Sequence, residues 1–416
     1  MPILGFNTEE AMQRRPIAPP EIIDPEYFET HGYPHEAWSR LRREAPVAWC
    51  EPGRFDPFWA VTRHADVVSV SRQPDLFRST LRFAMVPDDV PDLTQLPLRH
   101  LLNMNPPEHR DYRKLVSRYF TRRAIQASQA AVASIVEDLV ERLEGEVEFV
   151  EALASRVPIA VIAEMLGLPR EDWQRLYRWT NDIVGCTDPE FQEAGRENTI
   201  VRALREQFEY FRALVAERRR RPTEDLTSVL AHAQIGGERL PEQELLSFLF
   251  LLVTAGNETT RNALSGGLLA LAEHPEQLEK LRANPDLVAS AGEEILRWTS
   301  PIIHICREAS RNVTLGDQEI RSGETVVLFF PSANRDEAVF EDPFHFRIDR
   351  GRNHHLAFGT GEHACLGSHL ARLEIHAVLA GLARRIERVE LAGPPDRLRG
   401  SFVGGIKSLP VRFTLR

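Results

Sequence analysis

The densest apolar run in the chain, LLSFLFLLVTA, stands between Glu244 and Glu258, inside a longer helical pattern from about Pro241 to His274. Some thirty residues at about 1.5 Å each give a helix of about 50 Å, enough to cross a whole domain. The run itself is too short for a membrane, which needs about 20 apolar residues, so a buried core helix is expected. From about Glu108 to Arg297 apolar residues recur at helical spacing between short polar breaks, which predicts a helical body. A further helix is expected over 366–385, with Leu366, Leu370, Leu373, Ala377 and Ala380 as its buried stripe.

Elsewhere alternation replaces the helical period. FWAVTRHADVVSV (Phe58–Val70) reads as an extended run passing into helix, after a Pro52-Gly53 turn. NVTLGDQEIRSGETVVLFF (Asn312–Phe330) reads as strands around a Gly316-Asp317 turn, and SLPVRFTLR alternates like a closing strand. The resulting fold class is mainly α with a smaller β region (α+β), its β-rich parts at about 45–70, 300–330 and 386–416. No internal repeat or linker divides the chain. Residues 1–35 are expected to form a proline-rich leader lying over a surface, and 36–416 a single domain.

With 43% hydrophobic and 27% charged residues among 416, the chain can bury a large core and still enclose a cofactor. A formal charge of −10 argues against general nucleic-acid binding, which needs a positive footprint. The basic stretch ERRRRP (Glu217–Pro222) is expected to be a solvated helix end, its arginines facing the negative end of the helix dipole. Cys50, Cys186, Cys306 and Cys365 are far apart and show no zinc-ligand spacing, which suggests a reducing compartment rather than a disulfide framework. The N-terminal residues, broken by charges and prolines, read as neither signal peptide nor membrane anchor, so the protein is expected to be cytoplasmic.

Four segments carry residue types suited to chemistry. In AFGTGEHACLGSHLARLE (357–374), Gly359, Gly361 and Gly367 let backbone approach something flat and permit positive φ around Cys365. Cys365 is expected at a helix start, where N–H groups favour a thiolate. By itself it reads as a nucleophile with His363 as base, as an iron ligand, or as a small buried side chain. In AGNETT (Ala255–Thr260), Ala255 and Gly256 are small enough to lie close over a cofactor, and Glu258 and Thr259 set an acid beside an alcohol. The plainer alternatives are a Thr259 hydroxyl bonded back to Ala255 and a Glu258 paired with Arg261. EEILR places Glu294 and Arg297 on one helix face, by itself a surface ion pair. NPPEHRDYR (Asn105–Arg113) places His109 and Arg113 four apart, able to reach one carboxylate or simply to face water.

FGTGEHACLG resembles the haem-binding loop of the cytochrome P450 superfamily, F-G-x-G-x-H-x-C-x-G, at every specified position, and the other segments follow the family's order. The resemblance runs from about residue 35 to 416 and is to the soluble, bacterial members. It implies the cytochrome P450 fold, a long central helix over a buried haem b. Cys365 would be the axial iron ligand, in a loop that includes Phe358 and Gly367. His109, Arg113, Arg307 (in ICREAS) and His363 would hold the haem propionates. Alternation along an extended ICREAS would then turn Cys306 away, leaving it structural. Glu258 and Thr259 would be the catalytic acid–alcohol pair that delivers protons. Glu294–Arg297 would be a buried brace for the cysteine loop, with a third basic partner downstream. In FEDPFHF (Phe340–Phe346), His345 stands where many members carry arginine, so that partner is left open.

The implied activity is that of a haem-thiolate monooxygenase inserting one oxygen atom of O2 into a C–H bond of a terpenoid, steroid or fatty-acid-like molecule. Leu251, Thr254, Ala255, Ile302, Ile303, Phe402 and Val403 would be substrate-binding, with the loop around Arg82 to Leu101 as a lid. With no additional Gly-rich βαβ unit or four-cysteine cluster, no bound flavin or iron–sulfur cluster is expected in this chain. Electrons would come from a separate ferredoxin-type donor with its NAD(P)H reductase. Arg113, Lys114, Arg118, Arg122, Arg123 and Arg372 are expected to form its basic docking patch. The protein is expected to be a monomer. A peroxide-driven peroxygenase and a non-catalytic haem-thiolate sensor are the alternatives of the same fold.

Overall fold

The structure, a computed structural model, describes residues 16–88, 98–192 and 196–416. The first 15 residues of the expected leader, and residues 89–97 of the expected lid, lie outside the described residues.

Glu242–Glu273 forms one continuous helix, with Pro241 and His274 as its flanking caps, matching the sequence pattern. Glu242 and Glu244 occupy its first turn, where carboxylates complement the positive end of the helix dipole. This central helix packs against the helices Arg156–Leu166, Trp173–Val184, Val288–Thr299 and Ser368–Arg385. The approach to Val288–Thr299 is close at Gly267, where a Cβ would come within 2.8 Å of the Ile295 side chain. Leu249, Val253, Leu264 and Leu268 enter the same core as Val157, Ile295 and Val378.

A five-stranded sheet runs in the order Val47–Cys50, Phe58–Val61, Thr325–Phe329, His304–Ala309, Phe77–Arg78, and its one parallel pairing joins Phe58–Val61 to Thr325–Phe329. Alternate residues feed two separate cores. Phe58, Ala60, Val327 and Phe329 join Trp38 on one face. Trp59, Val61, Val326 and Leu328 join Phe77 on the other. Burial on both faces explains why FWAV and VVLF are apolar at every position instead of alternating with polar residues. The Gly316-Asp317 turn joins Val313–Leu315 to Gln318–Ile320 as expected. The closing strand Pro410–Leu415 sits between Ile386–Leu391 and Gly145–Glu148. That last strand interrupts the expected helical body; GEVE is too short and charged to signal itself.

Three expectations change. Residues from Pro16 on do not simply lie over a surface: Ile22, Ile23 and Phe28 are buried in the core around Trp38. The Arg196–Arg220 helix ends as predicted, but Arg218 is a buried tie rather than a solvated charge, bonding Asp225 at 2.6 Å and the Gly167 carbonyl at 2.8 Å. On Ser368–Arg385 the buried face is Leu370, Glu374, Ile375, Val378, Leu379 and Leu382, while Ala380 is exposed. Apolar residues surround that helix on most sides and a glutamate enters its buried face, so the apolar pattern misplaced the stripe. Among the described residues no helix is long and apolar enough to cross a membrane.

Candidate active site

The cysteine loop is a run of tight turns. Gly359 and Gly361 both adopt positive φ, at 63° and 75°, which glycine alone adopts without strain. A side chain at Gly361 would also collide with the Ser71 carbonyl. The Cys365 N–H donates to the Phe358 carbonyl at 2.9 Å, and the Arg113 guanidinium donates to the Ala364 carbonyl at 2.7 Å. The helix starts at Ser368, three residues after the cysteine, so the helix start itself does not carry it. Instead the Gly367 N–H is the backbone donor that acts on the sulfur. Burial pushes the thiol up, opposed by that N–H and by the charges of Arg113 and Arg372. Cys365 nonetheless presents surface and lines a cavity.

Behind the loop lies a dense ionic brace. Glu294 and Arg297 are fully buried and pair through two bonds of 2.7 and 2.8 Å. The third basic partner is Arg350, whose Nε donates to Glu294 at 3.0 Å. His345 contributes only its backbone carbonyl, which accepts from Arg350 at 2.9 Å. The Arg347 N–H and the Asn353 amide supply the remaining donors to Glu294, at 3.0 and 3.1 Å. These bonds hold Glu294 below the usual carboxylate range despite burial. Beside it, Glu293 takes two bonds from Arg372, at 2.6 and 2.8 Å, and one contact with His355 at 3.2 Å. Arg372 in turn covers the Phe358 ring, 4.5 Å from its centroid.

The cavity measures about 390 Å3 and takes in nearly all of the predicted site residues. Phe358, His363, Cys365 and Gly367 line it from the loop, Leu251, Thr254, Ala255, Glu258 and Thr259 from the central helix, and Ile302, Phe402 and Val403 from the β region. Ile303 does not line it. Ile303, just before the strand His304–Ala309, is fully buried in the core around Trp38, while Ile302 and Ile305 face the cavity. Gly256 lines the cavity too, and a side chain there would meet Ile162 of the neighbouring helix at 3.4 Å. Ala255 beside it opens on the cavity.

One edge of the cavity gathers positive donors. Arg307 is buried and bonds only the Cys306 carbonyl, at 2.7 Å, while Cys306 itself packs in the core around Trp38. Burial brings Arg307 down to about 10, so it stays cationic at neutral pH. Among the described residues neither Arg307 nor Arg113 forms an ion pair. The His109 and His363 rings lie 4.3 Å apart, and His363 shares a 3.1 Å hydrogen bond with Ser79. His109 Nδ1 has no hydrogen bond, its nearest acid being Glu362 at 3.8 Å. Burial and then Arg307 bring His363 down to about 2. A buried and a half-buried cation without anions, together with an orphaned imidazole nitrogen, are costly unless an acidic group occupies that edge.

On the central helix both plainer contacts are present. Glu258 is buried and paired with Arg261, and the Thr259 hydroxyl donates to the Ala255 carbonyl at 3.0 Å. Burial raises Glu258. The residues that sequence reasoning missed are Arg350, Asn353, the Glu293–Arg372–His355 group and Glu374. Glu374 lines the cavity with one oxygen unbonded, and burial pushes it up to about 8.

The sequence matches the cytochrome P450 family over residues 53–409. It is 35% identical to linalool 8-monooxygenase of Pseudomonas putida, covering 94% of this chain and 98% of that one. It is 36% identical to the steroid C26-monooxygenase of Mycolicibacterium smegmatis, over 92% of this chain and 91% of that one. Among solved structures, a cytochrome P450 of Mycobacterium marinum in complex with pseudoionone superimposes with a TM-score of 0.85 at 35% identity, over 91% of this chain and 94% of that chain. With a cysteine facing an apolar cavity whose edge is cationic, and with these relatives, the chain belongs to the cytochrome P450 family and is a monooxygenase of it.

Proposed function

We propose that this chain inserts one oxygen atom of O2 into a C–H bond of a terpenoid, steroid or fatty-acid-like molecule, the other oxygen leaving as water. The reaction takes up two electrons and two protons. The family's cofactor is haem, and the residues fit it: a thiol facing an open cavity, and an edge of unpaired buried donors suited to two propionates. Cys365 would ligate the iron, and His109, Arg113, Arg307 and His363 would hold the propionates. When bound, the haem supplies the iron that activates oxygen.

The chain's own contribution is ligand, shape and protons. The Gly367 N–H and the nearby Arg113 and Arg372 charges steady a thiolate at Cys365. Leu251, Ala255, Ile302, Phe402 and Val403 give the cavity an apolar wall that excludes water and favours a hydrophobic substrate. In such a site protons must travel through side chains. The Thr259 hydrogen is committed to Ala255, which leaves the hydroxyl lone pairs free to accept from a proton carrier in the cavity. Glu258 acts as a proton store behind it and must exchange its Arg261 partner to do so.

Electrons would come from a separate ferredoxin-type donor with its NAD(P)H reductase. Of the six expected docking residues, Arg113 is turned inward to Ala364 and Arg372 is held by Glu293. Lys114, Arg118, Arg122 and Arg123 remain exposed and form the reduced patch. The protein would work as a cytoplasmic monomer.

The observation that carries this reading is the single cavity shared by Cys365, the cationic edge and the Glu258–Thr259 pair. The test is a type I spectral-shift screen of hydrophobic compounds, followed by product analysis under labelled oxygen with a ferredoxin, a reductase and NADH. Product carrying one labelled oxygen is expected. Turnover with peroxide alone would identify a peroxygenase, and none with any donor a sensor.

A further inference from the structure

Most hydroxyls on the helices around the cavity are satisfied by the carbonyl one turn back. Thr259 bonds Ala255, Ser265 bonds Arg261 and Thr299 bonds Ile295. Thr254 breaks the pattern. Its Oγ1 is buried, lines the cavity and has no hydrogen bond. One turn earlier on the same helix face, Phe250 stacks on the ring of His100, with centroids 6.4 Å apart. Phe83 meets that ring edge-on at 5.5 Å, so the imidazole is wedged between two aromatics. His100 is buried, lines the cavity, and leaves Nδ1 without a hydrogen bond. Its backbone is fixed by the Asn103 side chain, which accepts from the His100 N–H at 3.0 Å.

We propose that His100 and Thr254 form a polar handle that holds one neutral oxygen function, a hydroxyl or a carbonyl, of an otherwise apolar substrate. The inference rests on the reading that this cavity takes a hydrophobic small molecule, and it selects among the substrate classes named there. Two buried polar atoms without partners persist at a cost unless a ligand completes them. A neutral imidazole offers one donor and one acceptor, and a threonine hydroxyl can do either, so together they serve a hydroxyl or a carbonyl.

Charge excludes the anionic alternative. Burial brings His100 down to about 4, so it is neutral at physiological pH. Among the described residues the arginines lining the cavity are Arg113 and Arg307, both at the cationic edge, and no lysine lines it. A substrate carboxylate beside His100 would therefore be buried without a counter-charge, close to a helix that already carries Glu258. Neutral terpenoid or steroid alcohols and ketones fit; free fatty acids do not.

The test uses the full-length, haem-loaded protein and three ten-carbon-skeleton probes: myrcene, geraniol and geranate. Binding is followed by spectral titration and, in parallel, by equilibrium dialysis, so that binding without a spectral shift is still counted. The wild type should bind geraniol at least about tenfold more tightly than geranate. His100→Phe and Thr254→Val should each weaken geraniol about tenfold and leave myrcene within about twofold. Should His100→Phe not fold, His100→Ala serves, with the same expected loss for geraniol. Equal loss for myrcene and geraniol, no loss for either, geranate binding as tightly as geraniol, or no binding of any probe overturns the proposal. A thiolate-type carbon monoxide spectrum in every variant separates these outcomes from failure of the haem reading, which would abolish that spectrum in the wild type as well.

Discussion

The loop that carries Cys365 and the helix wall that carries Thr254, Glu258 and Thr259 border one cavity, but they use polar groups in opposite ways. Behind the loop, the two acids of the brace have several donors: Glu294 takes bonds from Arg297, Arg350, Arg347 and Asn353, and Glu293 from Arg372 and His355. On the wall, Thr254 and His100 have unpartnered atoms, and Glu258 is raised by burial. Fully satisfied networks hold a geometry, which is what a metal ligand needs. Unsatisfied buried groups are poised to take a ligand or a proton, which is what a reaction chamber needs.

The contrast breaks most easily at Glu294. Glu294→Ala strands Arg297 and Arg350 in the interior, and should cost about 3–5 kcal/mol with loss of haem retention. Arg350→Met removes one charged partner and should cost about 1.5–3 kcal/mol, while His345→Ala, whose side chain is not part of the brace, should stay within about 0.5 kcal/mol. Denaturant unfolding of the three variants checks the order; a larger loss at His345 than at Arg350 would reverse the assignment of the third partner.

Glu293 and Glu374 should also answer pH with opposite signs. Glu293 is held at about 2 against an ordinary 4.5, so its stabilisation is complete above pH 4.5 and disappears as pH falls towards 2. Glu374, pushed up from 4.5 to about 8, keeps its proton where the unfolded chain has lost it, so stability falls as pH rises between those values. Glu374→Gln should flatten the alkaline slope and leave the acid limb in place. An unchanged alkaline slope would mean that Glu374 is not the group responsible.

A milder change is expected at Thr259. Thr259→Ala should keep haem and substrate binding but lower product formed per NADH severalfold, the missing electrons appearing as peroxide. Unaltered coupling would remove Thr259 from proton delivery.

How much of this was legible follows the same division. Short motifs with a local cause could be read directly: the glycine-spaced cysteine loop, the i, i+3 brace pair, and a central helix whose ends sit where proline and histidine flank it. Arg350 could not. It lies in an irregular stretch without periodicity, and only the folded path brings it, rather than His345, to Glu294. Ile303 and Ile302 are equally apolar and lie just before the strand His304–Ala309, so nothing in their spacing says that one enters the core and the other the cavity. Glu374 was invisible because a lone glutamate in an apolar helix usually marks the solvent face, whereas here it is buried. The basic patch shrank because sequence does not say which arginines are already engaged by Ala364 or Glu293.

The central claim is that Cys365 is the iron ligand at the braced side of the cavity. Its most direct test is the carbon monoxide difference spectrum of the reduced, haem-loaded protein, recorded for the wild type and for Cys365→Ser. A thiolate-type band in the wild type that disappears in Cys365→Ser, with the fold retained, is the predicted result. The same band in both proteins would contradict the assignment.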